Sequence, residues 1–229
     1  MNRYAIGDIH GGIQTFWALI RKINPKHDDR VYLLGDYIDR GPDSKGVLDA
    51  IISMQESGCD IRPIRGNHDD MLYRAATEQH DDYSWYWMKG WGFHTLSSFA
   101  IDSPSELPAK YVNFLESLPL LHKEQNFILA HAGLDMTKTN PITESAPADI
   151  LWGDKISPGL ISDSFNYRLI TGHTVRKMTD IQDSLSTNWI CLDNGAFVDL
   201  PPQRGHLMAL NLDTMQLTAQ PWLDGEAIL

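Results

Sequence analysis

The sequence predicts an α/β fold, a layered sandwich of two sheets, and three observations predict it. Five short apolar, β-prone runs each end on a glycine beside an Asp, Asn or His. The opening alternates such runs with helical periodicity, whereas the close is largely β. Between them, from about residue 69 to about residue 119, lies a tract of helical patterning without obvious strands, read as an insert over the sheet.

In chain order, Tyr4-Ala5-Ile6 runs into Gly7-Asp8-Ile9-His10-Gly11-Gly12. Ile13, Phe16, Trp17, Leu19, Ile20 and Ile23 then share one face of a helix. Val31-Tyr32-Leu33-Leu34 delivers Gly35-Asp36-Tyr37-Ile38-Asp39-Arg40-Gly41-Pro42, the segment to which the other loops refer. A second helical face (Val47, Leu48, Ile51, Ile52, Met54) stops at Gly58. Ile61-Arg62-Pro63-Ile64 leads to Arg65-Gly66-Asn67-His68-Asp69.

Within the insert, Tyr83, Trp87 and Trp91 fall at i, i+4 and i+8 and so line one helix face. Helically spaced aromatics are usually core, and these are read as packing within the insert, outside the site. Residues 119 to 130 form a hairpin turning at Lys123-Glu124-Gln125-Asn126, and its second strand ends at His131-Ala132-Gly133. Residues 135 to 166, rich in Pro, Ser, Thr and Asp, read as loop with short helices. Arg168-Leu169-Ile170-Thr171 precedes Gly172-His173-Thr174, and three strand-like runs follow at 189–192, 206–212 and 217–222. The 229 residues are read as one domain carrying the insert.

A formal charge of -11 argues against a general binder of nucleic acid or acidic membrane, which needs dense Lys and Arg. Two cysteines, Cys59 and Cys191, are too few for a disulfide framework and are read as reduced, buried thiols. No run approaches the ~20 apolar residues of a membrane span. Met1-Asn2-Arg3 leads straight into the first strand, so a cytoplasmic location is expected.

The strand-end loops carry metal-site chemistry. In an extended segment residues i and i+2 point the same way, so Asp8 and His10 can grip one ion. Carboxylate with imidazole suits a first-row divalent metal. Asp36 can bridge to a second ion held by Asn67, His131 and His173. Paired ions of this kind lie roughly 3.5–4 Å apart and clamp an in-line displacement on phosphorus, the nucleophile being hydroxide from a water whose pKa the metal lowers. His68 would be the general acid, with Asp39 holding its imidazole charged. Arg40 offers a planar fork to phosphate oxygens, and Arg65 is a second candidate. The other histidines (His27, His80, His94, His122, His206) are read as structural or exposed.

These blocks, from residue 7 to about residue 196, resemble the signature segments of the calcineurin-like metallophosphoesterases, in particular the small bacterial and phage members of the phosphoprotein phosphatase branch. The resemblance implies a central two-sheet β-sandwich flanked by helices in four layers. It also implies a first metal on Asp8, His10 and Asp36, a second on Asp36, Asn67, His131 and His173, the acid pair Asp39 and His68, and phosphate-binding Arg40 and Arg65. Mn²⁺ is the implied ion, with Fe or Zn as alternatives. Small relatives often carry an arginine two residues after the tryptophan matching Trp152, where this chain has Asp154. Arg168, the only arginine between Trp152 and His173, is nominated in its place.

The activity implied is a metal-dependent serine/threonine protein phosphatase, acting on a phosphorylated protein or a small phosphoester. The intact Asp39-Arg40 pair favours it. The alternative is a symmetrical diadenosine tetraphosphate hydrolase, which Asn67-His68-Asp69 and His131-Ala132-Gly133 also resemble. A third reading is a non-catalytic binding module, which would be free to lose ligands that this chain retains.

Overall fold

The computed structural model describes residues 1–77, 82–153, 165–198, 200 and 202–225. Asp154 and His80 lie outside the described residues. Two sheets form the centre. The first holds β1 (Arg3–Ile6), β2 (Arg30–Leu33), β3 (Asp60–Pro63), β8 (His206–Asn211) and β9 (Leu217–Pro221) in the order β3-β2-β1-β8-β9. The second holds β4 (Leu121–Glu124), β5 (Phe127–Ala130), β6 (Arg168–Thr171) and β7 (Trp189–Cys191) in that order. β1, β2 and β3 are mutually parallel, as are β5, β6 and β7, while β8, β9 and β4 run antiparallel to their neighbours.

Alternation along each strand divides the core into layers. Ala5, Tyr32, Phe127, Leu129, Ile170, Ile190, Met208 and Leu210 meet between the sheets. Their neighbours Ile6, Val31, Leu33, Leu207 and Ala209 face the other way, onto Phe16 and Leu19 of α1 (Ile13–Ile23) and Val47, Leu48 and Ile51 of α2 (Ser44–Glu56). Ile128, Ala130 and Leu169 cover the outer face of the second sheet with Leu134 and Ile150. Runs such as Val31-Tyr32-Leu33-Leu34 and Phe127-Ile128-Leu129-Ala130 are apolar at successive positions because both faces of those strands are buried.

Between β3 and β4 the described residues form helices and turns: α3 (Asn67–Ala76), α4 (Asp82–Tyr86), a π-helical turn (Trp87–Trp91), α5 (Gly92–Phe99), a 3₁₀ turn (Pro104–Glu106) and α6 (Ala109–Ser117). After β5 come α7 (Pro141–Glu144) and α8 (Pro147–Trp152), and α9 (Met178–Ser184) precedes β7. Helix α1 begins at Gly12, which has no side chain to cap it. Asp224 from the far end of the chain accepts the Gln14 and Thr15 N–H groups at 2.7 and 2.9 Å instead. Cys191 is buried, but Cys59, in the turn after α2, is exposed, against the expectation that both thiols are internal. No helix among the described residues is long and apolar enough to cross a membrane.

Candidate active site

The loops leaving β1, β2, β3, β5 and β6 converge at the carboxyl ends of the two sheets, where open α/β sheets place their ligands. His131 Nδ1 bonds the Leu34 carbonyl at 2.7 Å and so ties the second sheet's loop to the first. The polypeptide turns sharply there. His10, Asp36, Asp39, Arg40 and His173 all have left-handed backbones, with φ between 47° and 68°. A non-glycine residue in that region costs roughly 1–2 kcal/mol, so the loops hold five such residues only because their surroundings fix them.

Two glycines are required by close approach. A Cβ on Gly66 would collide with Asp36, and one on Gly172 would collide with Oδ1 of Asp8. Asp69, which the sequence reading left without a role, completes the frame. Its carboxylate accepts the N–H groups of Gly66 (2.9 Å), Asp36 (2.8 Å) and Tyr37 (3.1 Å), which locks the β2 loop to the start of α3. A carboxylate at the third position of a helix is the signal that could have marked it.

The buried donor atoms fall into two groups about Asp36. Oδ2 of Asp36 lies 3.6 Å from His10 Nε2, and Oδ1 lies 3.4 Å from His131 Nε2. His10 Nδ1 is spent on the Ile38 carbonyl at 2.8 Å, as His131 Nδ1 is on Leu34, so in both neutral rings Nε2 carries the lone pair. His131 Nε2 also lies 2.8 Å from Asn67 Oδ1 and 3.2 Å from His173 Nδ1, which is itself 3.1 Å from Asn67 Oδ1. On the other side, Asp8 Oδ2 accepts the His173 N–H at 2.9 Å while its buried Oδ1 has no partner.

Lone pairs facing one another at such distances repel unless a cation lies among them. His10, Asp36 and His68 form one group with metal-ligand spacing, and Asp36, His131 and His173 another. The donor set therefore fits two divalent ions sharing Asp36, one on the side of His10 and His68 and one on the side of His131 and His173 with Asn67 beside it. Asp8, expected to hold the first ion, falls in neither group and lies against the His173 N–H and Gly172. Nitrogen with carboxylate oxygen suits a first-row metal. Ions held there would polarise phosphoryl oxygens and acidify a bound water.

Electrostatics point the same way. Burial lowers the His10 pKa to about 3 and the His173 pKa to about 4, and it lowers that of His131, so all three rings are neutral at neutral pH, the form that can bind a metal. Burial works against the Asp36 charge, but the imidazoles of His131, His68, His10 and His173 overcome it and hold this carboxyl below the usual range. Asp8 is pushed well up by burial and then by the Asp193 and Asp36 carboxylates. Burial raises Asp193 to about 7.

His68 and Asp39 stand beside this cluster. His68 Nδ1 bonds Asp39 Oδ2 at 2.6 Å, which leaves Nε2 as the ring's free nitrogen. Burial would lower the His68 pKa, yet the charges of Asp36 and Asp39 outweigh it and the net shift is upward. Arg40 lies between the rings of Trp91 (5.5 Å) and Phe197 (5.4 Å), and its Nε is buried without a partner among the described residues. A cation so held has hydrogen-bonding capacity left for an anion.

The other two arginines are not brought to this place. Arg65 is occupied in joining α3 to α6, donating to Asp70 at 3.0 Å and to the Leu115 and Glu116 carbonyls at 2.7 and 2.9 Å. Arg168 opens β6, at the end opposite His173, and donates to the Leu185 carbonyl at 2.6 Å and the Thr187 carbonyl at 2.9 Å. Both guanidinia are thus engaged in holding elements together, although the Arg65 Nε, like that of Arg40, is buried without a partner among the described residues. Trp87 is core, as expected, but the reading that set the insert aromatics outside the site is corrected. Trp87 donates its indole N–H to Asp39 Oδ2 at 2.8 Å, Trp91 lies 5.1 Å from the His68 ring, and Tyr83 stacks on Trp152 at 5.3 Å.

Comparisons with known proteins agree with this geometry. The family model described as calcineurin-like phosphoesterase matches residues 1–196. A symmetrical bis(5'-nucleosyl)-tetraphosphatase of Nitrosomonas europaea is 33% identical over 139 residues, 58% of this chain and 45% of that protein. One of Neisseria meningitidis is 31% identical over 158 residues, 66% of this chain and 51% of its own length. The matches span about half the length of these curated relatives. Among solved structures, a proposed diadenosine tetraphosphatase superposes with a TM-score of 0.72 at 18% identity, covering 98% of this chain and 95% of its own. A protein serine/threonine phosphatase of Saccharomyces cerevisiae does so with a TM-score of 0.66 at 17% identity, covering 100% and 81%. The two-sheet architecture, the metal-ligand clusters and the family match lead to one conclusion: the chain belongs to the calcineurin-like phosphoesterase family.

Proposed function

We propose that the chain is a divalent-metal-dependent hydrolase that cleaves bis(5'-nucleosyl) tetraphosphates symmetrically into two nucleoside diphosphates. The observation that carries the substrate is the match to curated relatives of that name, at 33% identity in one case. It favours this reading over the protein phosphatase that the sequence motifs first suggest. The site supplies the means: a bridging Asp36 between two clusters of neutral donors, Arg40 with free hydrogen-bonding capacity, and exposed aromatic surface in Tyr83 stacked on Trp152. Nucleobases stack on such faces for about 1–3 kcal/mol each.

In this reading water bonds to one of the two central phosphorus atoms. The bridging oxygen departs on the other nucleoside diphosphate, with His68 Nε2, the ring nitrogen not bonded to Asp39, as the group that would protonate it.

One observation supports a second reading, hydrolysis of phosphomonoesters such as phosphoserine or phosphothreonine. The Asp39–His68 pair is complete and buried, and an alkoxide leaving group needs protonation more than a diphosphate does. Comparing kcat/KM on diadenosine tetraphosphate with that on phosphoserine, phosphothreonine and phosphotyrosine peptides decides between them. Preference for the dinucleotide, with adenosine diphosphate as product, is the expected result. Turnover of the peptides alone would establish the second reading in its place.

A further inference from the structure

The helical insert reaches the chemistry through one carboxylate. Asp39 is fully buried, and both its oxygens are occupied. Oδ2 accepts from His68 Nδ1 at 2.6 Å and from the Trp87 indole at 2.8 Å, while Oδ1 accepts from the Thr95 hydroxyl. An indole N–H can only donate, so Oδ2 accepts from Trp87, and with Asp39 ionised the imidazole bond is an N–H from Nδ1.

The hydroxyls form a closed relay behind it. The Asp39 N–H is shared between Ser44 Oγ (3.0 Å) and Thr95 Oγ1 (3.1 Å), and the two hydroxyls bond each other at 3.0 Å. Thr95 thus accepts at one side and gives its own proton to Asp39 at the other.

Trp87 and Thr95 come from the π-helical turn and from α5, both inside the insert. The wider π turn sends Trp87 to Asp39 and Trp91 towards His68 and Arg40, so one distortion aims two rings at one site. Packing alone would not need an indole N–H on a buried carboxylate. A phenylalanine would fill the same core.

We propose that Trp87 and Thr95 are positioning residues for proton delivery: the insert fixes the Asp39 carboxylate, which in turn orients His68 towards the leaving oxygen. The inference rests on the hydrolase reading but not on the substrate. It assigns the insert a part in turnover that is separate from binding.

The test uses Trp87→Phe, Thr95→Val and Thr95→Ser in the full chain, with thermal unfolding to confirm the fold. Removing such an outer hydrogen bond typically costs about 10- to 100-fold. Trp87→Phe and Thr95→Val should therefore lower kcat by roughly tenfold or more on an alkyl phosphate, leave KM near the wild-type value, and lose less on an activated aryl phosphate. Thr95→Ser, which keeps the hydroxyl, should restore most of the rate. Equal loss on both esters, or a serine variant as impaired as valine, would overturn the proposal.

A second readout needs no turnover. Proton NMR of the metal-free protein should show the His68 Nδ1–H far downfield, absent in His68→Gln, and it should shift or broaden in Trp87→Phe and Thr95→Val. An unmoved resonance would overturn the positioning role even if the chain proved active on nothing tried. If instead the resonance moves and no phosphoester is cleaved, the positioning stands and the hydrolase reading is what fails.

Discussion

Gly172 lies against the carboxylate of Asp8 so closely that a methyl group on its Cα would collide with Oδ1, the buried oxygen that has no partner among the described residues. The next residue's N–H holds the other oxygen. The glycine therefore fixes the Asp8 carboxylate, and if Asp8 holds an ion the glycine supports that site although it can ligate nothing. Gly172→Ala should push Asp8 out of place and weaken binding of the ion on the His10 side by at least roughly tenfold, the scale seen when a ligand's support is lost. Calorimetric titration with Mn²⁺ or Zn²⁺ checks it, and wild-type affinity would count against the placement of Asp8.

His68→Asn should keep the metals but lose about 10²–10⁴-fold in kcat on substrates with poor leaving groups, the range expected for a general acid. The loss should shrink on an activated aryl phosphate. Steady-state rates across a series of leaving groups give the answer, and a uniform loss would remove His68 from that role.

The arginines divide by their surroundings. Arg40→Ala should raise KM for phosphoesters roughly 10- to 100-fold, consistent with about 1.5–3 kcal/mol for a hydrogen bond to a charged group. Arg168→Ala should leave KM unchanged and lower the melting temperature, because its guanidinium ties β6 to the Leu185 and Thr187 carbonyls. A raised KM in the Arg168 variant would reinstate it as a phosphate ligand.

Without metal, the buried carboxylates should make the protein less stable as pH rises. Asp193 is raised by burial to about 7 and Asp8 well above its ordinary value, so the folded state binds protons that the unfolded state has released by about pH 5. The stabilisation from these protons is complete below about pH 4 and is lost as pH climbs through 7. His10, His131 and His173, lowered by burial, work the other way below about pH 6.5, where the unfolded chain protonates them. Melting curves of chelator-treated protein should therefore fall from about pH 6.5 upwards, and divalent ions should reverse that fall. A flat metal-free profile above about pH 6.5 would show that these acids are not raised.

The candidate metal-site residues could be picked out in the sequence because each lies within a few residues of an apolar strand and beside or near a glycine. Strand, turn and donor type are all local. The roles of Trp87, Thr95 and Asp69 were not, because each depends on a contact between segments far apart in the chain. Spacing placed Trp87 on a helix face with Tyr83 and Trp91, but the π turn that aims its N–H at Asp39 leaves no trace in periodicity. The error over Arg168 has the same origin. Order along the chain put it near His173, whereas the strand between them carries its side chain to the opposite end of the sheet.

The most direct test of the paired-metal account is to titrate chelator-treated protein with a divalent ion while following bound ion and released product together, using diadenosine tetraphosphate as substrate. Two ions should bind per chain, adenosine diphosphate should appear as the second site fills, and Asp36→Asn should abolish both. Full turnover with one ion bound, or turnover that survives chelation, would contradict it.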